Sequence, residues 1–128
     1  MARQFTVDEA NTLLPSIVPQ LETLRDLVKR LMAVREQLDA LGPQARGNGQ
    51  ATVAMRLEIE SADLMAKADG LLRGLLDMGV EVKDPIQGLI DFRSLRDGRE
   101  VYLCWRLGEG QLAYWHELDA GFQGRRPL

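Results

Sequence analysis

The sequence predicts an α+β fold, a long antiparallel helical hairpin followed by a small antiparallel β-meander. Two observations carry this. Apolar residues recur at helical spacing from Ala10 to Met78, interrupted once by a glycine-rich stretch. After Gly79 the period drops from 3.6 residues to 2. A length of 128 residues suits one domain, 1–128, with the hairpin over 1–78 and the meander and a C-terminal tail over 79–128.

The first helix starts at a capping box. Thr6 can accept from the Glu9 amide while the Glu9 carboxylate reaches back to Thr6, and Phe5 stands at the staple position. Ala10, Leu14, Ile17, Leu21, Leu24, Val28, Leu31 and Leu38 follow a four-three rhythm, and Leu13, Leu27, Val34 and Leu41 widen the stripe. Pro15 cannot donate a backbone hydrogen bond and disfavours helical angles at Leu14. A short helix near 7–13, or a sharp kink, is therefore expected before a main helix that restarts at Pro15. The stretch Gly42-Pro43-Gln44-Ala45-Arg46-Gly47-Asn48-Gly49 reads as the hairpin loop. A second helix from about Ala51 to Met78 carries Leu57, Ser61, Leu64, Ala68, Leu71, Leu75 and Met78 on its inner face, and Gly79 is its left-handed cap.

In the meander, Val80 and Val82 alternate with Glu81 and Lys83, and Asp84 to Gly88 forms a turn. Leu89–Phe92 is a short strand. Arg96-Asp97-Gly98 signals a hairpin, and Arg99–Arg106 puts Val101, Leu103 and Trp105 on one face. Gly108-Glu109-Gly110 turns the chain into a last strand, Gln111–Leu118, and Gly121–Leu128 is a tail.

Composition bounds the function classes. The chain is 45% hydrophobic and 27% charged, enough for a core without disulfides or a structural metal. Net charge is −3, and neither half is basic, so nucleic acid and anionic lipid are not expected partners. The lone Cys104 allows no internal disulfide, as expected of a cytoplasmic protein. The opening MARQFTVDEA lacks the apolar region of a signal peptide, and no apolar run approaches a membrane span, so no membrane association is expected.

Three segments resemble a known bacterial family. They are Phe5-Thr6…Glu9-Ala10-Asn11…Leu14-Pro15, then Gly79-Val80…Val82-Lys83-Asp84-Pro85…Gly88-Leu89-Ile90-Asp91-Phe92, and finally Cys104-Trp105…Gly108-Glu109, Trp115-His116 and Gly121-Phe122-Gln123-Gly124-Arg125. Together they are similar to the family catalogued as domain of unknown function 2203. The resemblance implies a small cytoplasmic protein and supplies no catalytic residues.

The residues themselves offer four candidate sites. His116, the only histidine, is a potential metal ligand with Asp91, Glu117 and Asp119, and with Asp84 or Glu109 as further carboxylates. Strand alternation, however, sets His116 and Glu117 on opposite faces. The same carboxylates offer acid–base chemistry, although Asp84, before a proline, suits a turn cap. Cys104 is a potential nucleophile with His116 as base. A turn centred near Glu109 pairs Leu103 with Trp115 or Cys104 with Tyr114, which makes Cys104 and His116 diagonal neighbours. Gly121, Gly124 and Arg125 form a potential anion or nucleotide site, with Arg126 beside them.

The expected function is a homodimeric interaction or scaffold protein, its wide helical stripe covered by a second hairpin in a coiled-coil-like bundle, without a catalytic motif. The alternatives are a metal-binding protein or small metal-assisted enzyme at His116, holding a divalent metal, and an anion-binding module at the tail.

Overall fold

The computed structural model describes residues 3–42 and 50–128. It is an α+β structure of two long helices followed by a five-stranded antiparallel sheet in the order β1-β2-β3-β4-β5. Beyond Gly42, the expected hairpin loop lies outside the described residues.

Helix α1 spans Val7–Leu41 and opens on the predicted capping box. Glu9 N donates to Thr6 Oγ1 at 3.1 Å and Thr6 N donates to Glu9 Oε1 at 2.9 Å. Phe5 does more than staple the helix. Its amide donates to Arg93 O at 2.7 Å, its carbonyl accepts from Ser94 Oγ at 2.6 Å, and its ring meets Phe92 edge-on at 5.1 Å.

The break expected at Pro15 does not occur, because α1 runs through both Pro15 and Pro19 as one helix. Each proline deprives the carbonyl four residues back of its backbone donor. Both prolines lie on the exposed face, where solvent can take the freed carbonyls of Asn11 and Pro15. On the opposite face Ala10, Leu14, Ile17, Leu21 and Leu24 are buried, and that packing outweighs the local penalty.

Helix α2 spans Ala51–Asp77 and runs back along α1. The start of α1 lies beside the end of α2, where Arg3 Nη1 donates to Met78 O at 3.4 Å. Further out, Arg30 forks onto Glu60 at 2.9 and 3.1 Å. Gly79 takes φ +91° as predicted, and a Cβ there would stand 2.9 Å from the Phe5 ring, so space as well as backbone angle requires glycine.

Strand β1 (Val80–Asp84) is joined to β2 (Leu89–Arg96) by the Asp84 turn, in which Asp84 Oδ1 accepts from the amides of Ile86 at 3.0 Å and Gln87 at 3.2 Å. β2 extends past Phe92 to Arg96 and pairs along its length with β3 (Arg99–Arg106). Asp97 and Gly98 close that hairpin at φ +52° and +77°. The last predicted strand is cut to β4 (Tyr114–His116). The reason is a tertiary contact: Leu112 N donates to Asn11 Oδ1 on α1 at 2.8 Å instead of joining a ladder. The predicted tail returns to the sheet. After a single helical turn at Phe122–Gly124 it pairs as β5 (Arg126–Pro127) with β4.

Strand alternation gives the sheet two distinct faces. Val80, Ile90, Phe92, Val101, Leu103, Trp105 and Trp115 form one core with the buried residues of α1 and with Ala68 and Leu75 of α2. The other face carries Glu81, Asp91, Tyr102, Cys104, Tyr114 and His116, and the segment 117–125 folds near it. Among the described residues, no helix is long and apolar enough to cross a membrane.

Candidate functional site

Register brings three ligand-type side chains together on that second face. Asp91 of β2 is paired with Cys104 of β3. Cys104 in turn faces Tyr114 of β4, which places His116 on the diagonal, as the turn at Glu109 predicts. The ligand atoms of Asp91, Cys104 and His116 all lie within 4.8 Å of one another. All three residues are buried, Asp91 and His116 at 2% exposure and Cys104 at 1%.

The bonds of His116 define its state. Its Nδ1 lies 2.7 Å from Glu117 O, so that nitrogen carries a proton and donates it. Its Nε2 lies 3.1 Å from both Asp91 oxygens. With Nδ1 as the donor, Nε2 meets the carboxylate favourably only when something positive stands between them. That is either a proton shared between the ring and the Asp91 carboxyl or a metal ion.

Burial raises the Asp91 carboxyl above its ordinary value, against the opposing pull of His116 and of the Cys104 thiol. Burial, with the Asp91 charge, likewise pushes the Cys104 thiol up to about 12. Without an added cation Cys104 is therefore a protonated thiol at neutral pH, which argues against the nucleophile reading.

A cavity of about 330 Å³ opens against this cluster. Asp91 and His116 line it together with Lys83, Tyr102, Leu118, Asp119, Gly121 and Phe122. Lys83 Nζ bonds Glu81 at 3.0 Å and Tyr102 Oη donates to the same carboxylate at 2.8 Å. Burial favours protonation of Glu81, but the bonds from Lys83, Tyr102 and Arg93 outweigh it and hold the group below the ordinary carboxylate value.

The sequence-derived candidates separate on this geometry. Asp91 and His116 converge. Asp119 stands in the cavity lining but outside the cluster. Glu117 points elsewhere, to Arg99 at 2.9 Å, as alternation requires. Asp84 caps its turn. Cys104, considered as a nucleophile, stands beside Asp91 and His116.

The tail residues make contacts within the chain. Arg125 Nη2 donates to Glu109 at 2.7 Å, and its guanidinium lies over the Tyr114 ring at 4.0 Å and the Phe122 ring at 4.5 Å. Arg125 Nε is buried without a partner. Gly124 packs on Ala120, whose Cβ would be 2.6 Å from an added Cβ, while Gly121 lines the cavity. The sequence signal for the cluster lay in the β2–β3 register, which the Asp97-Gly98 turn fixes and which puts Asp91 opposite Cys104.

No curated protein and no solved structure matches the chain. A family model does, over residues 3–128. With that match over nearly its whole length, the chain belongs to the family described as "Uncharacterized conserved protein (DUF2203)".

Proposed function

We propose that this is a metal-binding protein whose ion sits between Asp91, Cys104 and His116. The observation that carries the reading is the buried convergence of carboxylate, thiol and imidazole within 4.8 Å, with Asp91 and His116 lining a cavity. One thiolate, one imidazole and one carboxylate make a borderline donor set that suits zinc or a similar divalent ion. Three protein ligands leave a tetrahedral ion one open position, and the cavity is where that position would face. A water held there would be acidified toward neutral pH, the usual basis of metal-assisted hydrolysis. The Nδ1–Glu117 bond is the kind of outer contact that orients a ligating histidine. A thiol ligand also fits a reducing, cytoplasmic setting.

Cobalt titration of the chelator-stripped chain tests this. The expected result is saturation at one equivalent, with visible bands of tetrahedral cobalt and a near-ultraviolet thiolate band that C104S removes. No spectral change and no shift in melting temperature with cobalt or zinc would leave Asp91–His116 as a structural polar pair and overturn the reading.

A further inference from the structure

Helix α2 carries a second apolar stripe on a different side from its core-facing one. Met55, Ile59, Met65, Leu72 and Leu76 are exposed, Met55 to 62% and Ile59 to 65%. They share a heptad frame, in which positions 55, 62, 69 and 76 form one row, 58, 65 and 72 a second, and 59, 66 and 73 a third. The buried row of Ala54, Ser61, Leu64, Ala68 and Leu75 lies roughly 100° around the helix from it. An exposed apolar strip of this length marks a contact surface.

We infer that the strip packs on a second copy of itself, as an antiparallel two-fold pair of α2 helices centred between Met65 and Ala66. The spacing is self-complementary about that point. Met55 faces Leu76 of the second copy, Ile59 faces Leu72, and Met65 faces Ala66. Large side chains meet at the ends, and the small Ala62 and Ala66 lie at the crossing, where the helices come closest.

The charges within the strip select this arrangement. Antiparallel pairing about residues 65 and 66 brings Arg73, which also pairs with Asp69 of its own helix at 3.0 Å, opposite Glu58 of the second copy. Shifting the register by four residues would set Glu58 against Asp69. A parallel pair would set Glu58, Asp69 and Arg73 each against its own copy, and like charges in register are unfavourable. A two-fold contact closes on itself and yields a dimer, not a filament. The metal site plays no part in the pairing.

Sedimentation velocity on the full chain at tens of micromolar should show a dimer, and Ile59→Glu should return it to monomer with its circular dichroism unchanged. Under mild oxidation Ala66→Cys should form a disulfide-linked dimer, because position 66 lies beside the two-fold axis. Ile59→Cys should not link to itself, because the two copies of residue 59 stand about 20 Å apart along the helices at about 1.5 Å per residue. A wild-type chain that stays monomeric at every concentration overturns the proposal. So does self-linking of Ile59→Cys as readily as Ala66→Cys, which would indicate a parallel pair.

Discussion

Nε2 of His116 stands 3.1 Å from both carboxylate oxygens of Asp91, between two strands and almost wholly out of water. A buried carboxylate without compensation is costly, and burial raises the Asp91 carboxyl above its ordinary value. For an acid shifted in that direction the stabilising side is low pH, and the charged form weighs against folding at neutral pH. A cation bound at the cluster would reverse this balance.

The first prediction separates metal binding from packing. Asp91→Asn removes a carboxylate that burial disfavours, keeps the shape and leaves an amide that can donate to His116 Nε2, so the metal-free variant should be at least as stable as the wild type. Zinc at a hundredfold excess over its dissociation constant should stabilise the wild type by about 2.7 kcal/mol, by mass action alone. The variant should lose most of that gain. Melting curves with chelator and with zinc measure both. Equal zinc stabilisation of wild type and variant would remove Asp91 from the ligand set.

Glu109 sets the acid limit of the C-terminal segment. Burial favours its protonation, but the bond from Arg125 at 2.7 Å and the Arg106 amide at 2.8 Å outweigh burial and hold it below the ordinary carboxylate value. The sign follows directly. A lowered folded value contributes stability above the unfolded value of about 4.3, and loses it as pH falls through the folded one. Glu109→Gln should cost about 2 kcal/mol at neutral pH, the scale of a hydrogen bond to a charged group, because Arg125 loses its carboxylate partner. The penalty should shrink as the pH drops below the ordinary carboxylate range. Urea titrations from neutral to acid pH test it, and a penalty that does not change with pH refutes it.

Pro15 sits in the interior of α1 on its exposed face. Alanine there restores a donor for Asn11 O and relieves the ring clash, which costs up to about 3 kcal/mol in a helix interior. Part of that gain is lost because alanine leaves the unfolded chain more freedom. Pro15→Ala should therefore raise stability by about 1–2 kcal/mol without changing the helix content. A destabilised variant would show that the proline is matched to its site.

Local chemistry made much of the architecture legible. The capping box, the Asp97-Gly98 turn, the Gly79 cap and the change of period each depend on residues close in sequence, and each appears where the pattern predicts it. The errors arose where a distant partner decides. Asn11 takes the Leu112 amide across 101 positions and so shortens β4, and β5 exists only because β4 offers it an edge. Pro15 misled because the buried face of the helix outweighs one lost hydrogen bond. The candidate site was half legible. The His116–Cys104 diagonal follows from one turn, but Asp91 joins them only through the full β2–β3 register. The closure of the tail by Arg125 and Glu109 has no local signal.

The glycines of α2 and of the β1–β2 turn make a matched test of what the fold requires. Gly70 and Gly74 lie inside α2, and an added Cβ at either meets nothing within 4 Å. Glycine in a helix interior costs about 1 kcal/mol relative to alanine, so Gly70→Ala and Gly74→Ala should each stabilise the chain by about that amount. Gly88 has the opposite balance. It has φ +66°, and a Cβ there would lie 2.3 Å from Leu107 Cδ1 and 2.8 Å from Leu107 Cβ. Alanine at 88 meets both a left-handed backbone and an overfilled contact, each of roughly 1–3 kcal/mol. Gly88→Ala should therefore cost about 2 kcal/mol or more, and because Leu89 beside it lines the cavity, it should also weaken cobalt binding. Denaturant midpoints rank the three variants, and a Gly88→Ala protein as stable as the wild type would show that Leu107 can move aside.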